Sequence, residues 1–268
     1  MLRDITIGQY YQAESPLHRM DPRTKLVGTL VYLVSLFIFR NVGAFAVATL
    51  FLILMVKVST VPFSYIMRGM KSIITILLIT VVFNMFLTPG NPIVSYGKFV
   101  ITDEGLKMAI FTAVRLIYLI IGTSLLTLTT TPNQLTDGLE SLMNPLRFFK
   151  APVHEIAMMM SIALRFIPIL MDETDKIMRA QAARGADFEH GNLIERAKSL
   201  VPILVPLFVS AFRRANDLAM AMEARCYRGG DGRTKMKPLK YISLDYVTFA
   251  VLAVYFVGVI VAGEMSPI

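Results

Sequence analysis

Five apolar runs, at 26–39, 42–56, 73–87, 108–128 and 246–262, decide what this chain can fold into. Roughly 20 apolar residues span a bilayer as a helix, and backbone in hydrocarbon must find its hydrogen bonds within its own structure. The runs at 108–128 and 246–262 are long enough by themselves. Those at 26–39 and 42–56 are short and separated only by Arg40-Asn41, so they read as a tight helical hairpin. Its flanks, Arg23, Lys25 and Lys57, are expected to extend the helices and snorkel to the membrane surface. Composition agrees with five spans: 55% of residues are apolar and 17% charged, against about a quarter charged in a soluble domain. So much apolar surface excludes disorder, and the single cysteine, Cys226, excludes an internal disulfide scaffold. The first 25 residues hold Asp4, Glu14 and Asp21 with no apolar core, so they do not read as a secretory signal.

A net charge of +8 fits nucleic acid, anionic lipid or membrane topology, and the positions of the charges choose among these. With the N-terminus cytoplasmic, the short inner flanks hold Arg3, Arg19, Arg23, Lys25, Lys57, Arg68 and Lys71. The outer ones hold Arg40, Lys98 and Lys107. That is the positive-inside pattern. The chain is expected in the plasma membrane as a multi-pass protein, N-terminus cytoplasmic and C-terminus outside. Attraction to the inner leaflet is secondary, and no nucleic-acid partner is expected.

Three segments follow: 1–128 with the first four transmembrane helices, 129–245 in the cytoplasm or at the interface, and 246–268 with the last span. The middle segment reads as helices. Thr131-Pro132 with Gln134 opens a short one that ends near Asn144-Pro145. A second runs from Ala151-Pro152 toward Ala183, with Gly185 as its stop and a kink at Pro168. A third starts after Gly191-Asn192 and ends at Gly229-Gly230, with Pro202 and Pro206 inside it. Val153, Ile156, Met160, Ala163, Ile167 and Leu170 form a stripe at helical spacing. Asp172–Lys176, Asp175–Arg179 and Arg213–Asp217 are spaced as i,i+4 ion pairs. The fold class is an all-α integral membrane protein, with about five transmembrane helices and a cytoplasmic or interfacial domain of long amphipathic helices.

Little in the chain reads as catalytic. There is no Walker-type loop, and Gly229-Gly230-Asp231-Gly232-Arg233-Thr234-Lys235 reads as a helix terminator. His18, His154 and His190 are isolated, so no zinc site, other metal site or cofactor is expected. An alternative function rests on Asp172, Glu173 and Asp175, which could hold Mg²⁺ in a membrane transferase. That chemistry needs a second facing acidic cluster, and pairing with Lys176 and Arg179 is simpler. Arg115 lies inside the fourth span, either serving function or bonding to backbone carbonyls.

The two long helices end alike. Ala183-Arg184-Gly185 and Ala224-Arg225-Cys226 each place an arginine between small residues where a helix runs out. An arginine there can cap its own helix through the dipole, for roughly 0.3–1 kcal/mol. It can also offer its five-donor fork to a partner's carboxylates or carbonyls, with small neighbours allowing close approach. The repetition favours a partner.

These motifs, with the opening segment Gly8-Gln9-Tyr10-Tyr11…Ser15-Pro16-Leu17-His18-Arg19-Met20-Asp21-Pro22-Arg23-Thr24-Lys25-Leu26, resemble the transmembrane T component (EcfT) of energy-coupling factor transporters. In the opening segment Asp21 caps the first span, Pro22 starts it, and Arg23 and Lys25 hold it at the cytoplasmic side. The resemblance covers nearly the whole chain. Cys226 departs from it, standing where glycine or alanine is common. It implies a non-catalytic scaffold for importing a vitamin or micronutrient. Two ATP-binding ATPase subunits would each dock on one motif: Ala183, Arg184 and Gly185, or Ala224, Arg225 and Cys226. A small membrane-embedded substrate-binding S component would pack on the spans and the long coupling helices. Seventeen methionines, clustered at Met158-Met159-Met160 and at Met220 and Met222, suit a face that accepts several interchangeable S components.

Overall fold

The computed structural model describes residues 10–38, 41–71, 73–96, 99–186, 188, 193–230 and 236–265. Gly8, Gln9, Arg40, Lys98, His190, Gly191-Asn192 and residues 231–235 lie outside the described residues. The chain divides into two compact units, Gly8–Ser141 with Leu239–Ile268, and Leu142–Pro238.

The first unit holds α1 (Pro16–Arg19), α2 (Pro22–Ile38), α3 (Val42–Ser59), α4 (Phe63–Lys71), α5 (Ile74–Leu87), α6 (Asp103–Thr129), α7 (Pro132–Met143) and α10 (Ser243–Met265). Between α5 and α6 runs a two-stranded antiparallel hairpin, β1 (Pro92–Tyr96) with β2 (Phe99–Thr102). The second unit holds a 3-10 helix (Asn144–Phe149), α8 (Val153–Ala183) and α9 (Leu193–Ala224). The protein is thus an all-α membrane protein apart from that hairpin. Neither the hairpin nor α4 was anticipated from the sequence. Helices α3, α6, α8 and α10 are long and apolar enough to cross a membrane. The 17 residues of α2 make about 26 Å, and the 14 of α5 about 21 Å, both under a hydrocarbon thickness of roughly 30 Å.

Local chemistry sets the helix starts. Asp21 Oδ1 accepts the Arg23 backbone N–H at 2.9 Å and opens α2. Thr102 Oγ1 accepts from the Gly105 N–H at 3.0 Å and opens α6, whose first turn carries Asp103 and Glu104 against the positive end of its dipole. Thr131 and Gln134 form a reciprocal capping box on α7, each backbone N–H donating to the other's side chain.

Helices α2, α3, α6 and α10 share the core of this unit, which Tyr32, Leu36, Ala48, Leu52, Leu125, Tyr255 and Val259 fill. Small residues let the helices approach: a Cβ on Gly122 would stand 2.6 Å from the Tyr32 ring. Phe51 stacks on Tyr255 at 4.3 Å, and Ser35 Oγ lies 2.6 Å from the Tyr255 hydroxyl. Outward faces expose Leu30, Phe37, Leu50, Ile76 and Val254, as helices solvated by lipid do. Arg115 lies with its guanidinium over the rings of Phe37 and Phe45, 5.7 and 6.0 Å from their centroids.

The opening segment corrects the expectation that Arg23 and Lys25 snorkel outward. Both fold inward and build a polar clasp. The buried carboxylate of Asp245 accepts the Asp21 backbone N–H at 3.0 Å and the Ile242 N–H at 2.7 Å. Arg23 holds Asp21 with Nε and Nη2 at 3.0 and 2.9 Å and covers the Tyr241 ring at 4.1 Å. Lys25 Nζ donates to the carbonyls of Thr129 (2.8 Å) and His18 (3.2 Å). The clasp therefore ties the start of α2 to the start of α10 and the end of α6. It offsets the cost of burying these charges with short, charge-assisted bonds.

Candidate functional site: two arginine-tipped helix ends

The last turns of α8 and α9 close in the same way. At the end of α8 the N–H groups of Arg184 and Ala186 donate to the Gln181 carbonyl, and Gly185 N–H to that of Ala182, all at 3.0 Å. At the end of α9 the N–H groups of Arg225 and Tyr227 donate to Met222 O at 3.1 and 3.0 Å, and Cys226 N–H to Glu223 O at 2.8 Å. The residue after each arginine takes the left-handed conformation, Gly185 at φ 90° and Cys226 at φ 55°. This is the Schellman closure, in which a left-handed residue turns the chain back onto its own last carbonyls.

The consequence for chemistry is positional. Backbone N–H groups satisfy the helix ends, so the arginine side chains are not needed as caps. Among the described residues neither Arg184 nor Arg225 has a side-chain hydrogen bond or ion pair. All six motif residues, Ala183, Arg184, Gly185, Ala224, Arg225 and Cys226, are exposed. Each tip thus presents a cationic fork at the negative end of a helix dipole, beside small side chains.

The sequence placed the end of the third helix at Gly229-Gly230. The structure ends it at Ala224, because Cys226 adopts the left-handed turn three residues before Gly229. Gly230 has another use: a Cβ there would meet the His154 ring at 2.5 Å, so only glycine lets this loop lie against the start of α8.

The two helices run antiparallel. Gln181 of α8 reaches Pro202 of α9, and Glu173 reaches Ser210 and Arg214 farther along. His154, one residue into α8, meets Gly230 beyond the end of α9. The tips therefore sit at opposite ends of the pair, and each helix is about 47 Å long at 1.5 Å per residue. Proline makes one of these contacts possible. Pro206 has no N–H to give the carbonyl of Pro202, and Gln181 Nε2 donates to that carbonyl at 3.4 Å. Since the Gln181 carbonyl also closes the Arg184 tip, this residue links one tip to the neighbouring helix.

Glu173 fixes the middle. Its Oε1 accepts from Ser210 Oγ at 2.5 Å, and its Oε2 from Arg214 Nη2 at 2.8 Å and Nε at 3.3 Å. The sequence reading missed this bond, and it corrects two expectations. Asp172–Lys176, Asp175–Arg179 and Arg213–Asp217 form no ion pair among the described residues; Arg179 Nε instead donates to the Asp175 carbonyl at 3.2 Å. Glu173, offered with Asp172 and Asp175 as a Mg²⁺ ligand, is engaged across the helix pair. No group of three His, Cys, Asp or Glu able to hold a metal occurs among the described residues.

The apolar faces of the pair are largely open. Val201, Leu204, Val205, Phe208 and Phe212 of α9 and Met159 and Met160 of α8 are exposed. Ahead of α8 the 3-10 helix displays Phe148 and Phe149, 90% and 82% exposed.

A family model described as cobalt transport protein (CbiQ) matches residues 13–236. A relative from Clostridium kluyveri is 58% identical over 249 residues, 92% of each chain. One from Thermosediminibacter oceani is 52% identical over 261 residues, 97% of this chain and 98% of its own. One from Bacillus subtilis is 51% identical over 246 residues, 91% of this chain and 93% of its own. All three bear the name energy-coupling factor transporter transmembrane protein EcfT. Similar along nearly its whole length to proteins of that name, the chain belongs to the EcfT family of energy-coupling factor transporter transmembrane proteins.

Proposed function

We propose that this chain is the coupling subunit of an ATP-driven importer for a vitamin or other micronutrient. Two ATP-binding subunits dock on the tips, one at Ala183-Arg184-Gly185 and one at Ala224-Arg225-Cys226. A small substrate-binding S component packs against the membrane helices and the apolar faces of α8 and α9. The chain itself is not catalytic; ATP hydrolysis belongs to the docked subunits. It lies in the plasma membrane with its N-terminus cytoplasmic, as the distribution of Lys and Arg suggests.

The observation that carries this reading is the pair of matched, exposed arginine tips at opposite ends of one antiparallel helix pair. Each guanidinium, without a side-chain partner among the described residues, can enter a groove lined with carboxylates or carbonyls, where a bidentate fork gives geometry as well as energy. When the two docked subunits approach one another, force enters at both ends. The Glu173–Arg214–Ser210 bond and the Gln181–Pro202 bond join the helices so that neither moves alone. The prolines of α8 and α9 allow bending where backbone bonds are missing. Exposed methionines on the pair would repack against S components of different shape.

The test is charge reversal. Arg184→Glu and Arg225→Glu should each weaken recovery of the ATP-binding subunits by about tenfold or more, in line with losing a charge-assisted contact of at least 1.4 kcal/mol. The double variant should abolish uptake while still inserting in the membrane. Full recovery and undiminished uptake in the double variant would overturn the docking roles.

A further inference from the structure

Phe148 and Phe149 are the most exposed aromatic side chains among the described residues, and neither docking tip uses them. They sit in the 3-10 helix Asn144–Phe149, with ring centroids 5.8 Å apart and planes nearly perpendicular. At three residues per turn such a helix has three ridges. Pro145 and Phe148 share one, Leu146 and Phe149 the second, and Asn144 and Arg147 the third. Two ridges are therefore apolar and one polar, and every residue from Asn144 to Lys150 is exposed. Lys150 closes the helix in the left-handed conformation, its N–H donating to the carbonyls of Arg147 and Leu146. One short protrusion thus carries both rings and both cations.

Charge and chain length narrow what this protrusion meets. Between Glu140 and Glu155 the chain has no acidic residue, so Arg147 and Lys150 set the charge around the rings. The preceding helix, α7, packs on the first turn of α2. A Cβ on Gly138 would stand 3.0 Å from Leu26 and 3.1 Å from Pro22, and Arg23 Nη1 donates to Ser141 Oγ at 3.4 Å. That turn lies where the apolar run 26–39 begins, at the membrane boundary. Phe148 follows Ser141 by seven residues, and a chain of that length reaches at most about 25 Å. The headgroup layer is within its reach.

We infer that the protrusion is a membrane wedge: Leu146, Phe148 and Phe149 enter the interfacial layer of the bilayer, and Arg147 and Lys150 pair with the phosphates of anionic lipids. Interfacial segments bind through buried apolar side chains together with attraction between cations and acidic headgroups. A bilayer surface answers both halves at once, with hydrocarbon below and negative charge above. The other class of occupant, a protein groove, predicts a different response to lipid. The wedge also has a defined place on the helix pair. His154, at the start of α8, lies against Gly230 beyond the end of α9, so the wedge anchors the end of the pair that carries Arg225.

The chain contains no tryptophan, so a single one reports on its surroundings. Phe148→Trp reads the wedge. Phe37→Trp, at a residue 60% exposed, reads a lipid-facing helix, and Met236→Trp, at one 99% exposed, reads water. The full chain of each variant is placed in nanodiscs of phosphatidylglycerol and phosphatidylcholine brominated high on their acyl chains. Both faces carry the same lipid and no ATP-binding subunit is needed, so the readout is independent of orientation and of the docking roles of the tips. Quenching at position 148 should reach at least half that at position 37, while position 236 stays near its value in unbrominated lipid. Arg147→Glu with Lys150→Glu in the Phe148→Trp background should lower quenching about threefold in these discs, and by less in phosphatidylcholine alone. Quenching at position 148 no stronger than at position 236 would overturn the proposal. So would indifference to charge reversal in the anionic discs. Emission at position 148 that shifts to the blue only when an S component is added would also overturn it, as expected if protein covers the rings.

Discussion

At the residue scale, Gly185 and Cys226 perform one backbone task with unequal ease. A side chain in the left-handed region brings Cβ against the following carbonyl, at a cost of about 1–2 kcal/mol. Gly185 has no such penalty, and nothing lies within 4 Å of where its Cβ would be. Gly185→Ala should therefore loosen the Arg184 tip by about 1 kcal/mol through backbone strain alone. Cys226→Gly should tighten the other tip by about 0.5 kcal/mol, less than the strain relieved because glycine is freer in the unfolded chain. Hydrogen exchange at the Arg184, Ala186, Arg225 and Tyr227 amides measures both, with faster exchange in the first variant and slower in the second. The same contrast explains what could be read beforehand. A glycine after a periodic apolar run signals a helix end, so α8 was placed within two residues. A cysteine sends no such signal, and one reading of α9 overran to Gly229-Gly230.

At the element scale, local signals were legible and distant ones were not. The capping box of α7, the Asp21 cap and the apolar runs are written in neighbouring residues. The clasp is not: Asp21 and Asp245 are 224 positions apart, and no pattern in either segment names the other. The helix-pair bond failed for a related reason. Several i,i+4 charge pairs advertise themselves along α8 and α9, but such exposed pairs contribute only about 0.3–0.5 kcal/mol. Glu173 instead pairs with Arg214, 41 positions away, across the interface. One member of the clasp region is a histidine. His18 Nε2–H donates to the Tyr11 carbonyl at 3.0 Å, which leaves Nδ1 as acceptor for the Ser15 hydroxyl at 2.6 Å. Burial, aided by the nearby Lys25 charge, holds its imidazole below the ordinary 6.5. The unfolded chain therefore takes up this proton first, and stability falls as pH drops below about 6.5. The melting temperature in detergent should decline from pH 7 to pH 5, and His18→Asn should flatten that slope. An unchanged slope would show that His18 does not report on the clasp.

At the scale of the whole molecule, the two units differ in what they expose. One unit turns Leu30, Phe37, Leu50 and Val254 outward and hides its charges in a clasp; the other carries two exposed cations at the ends of a cross-linked helix pair. Composition alone announced the membrane, and the repeated arginine motif announced the tips. The cross-links between the two helices came only from the structure. Cys226, the chain's single cysteine, lies exposed inside the second tip and so reports on docking without any substitution. The most direct measurement is the rate at which a maleimide modifies this thiol, in the chain alone and in the complex with ATP-binding subunits. Docking at Ala224-Arg225-Cys226 predicts at least tenfold slower modification in the complex, with the fast rate restored by Arg225→Glu. An equal rate in the assembled, ATP-hydrolysing complex would contradict the account.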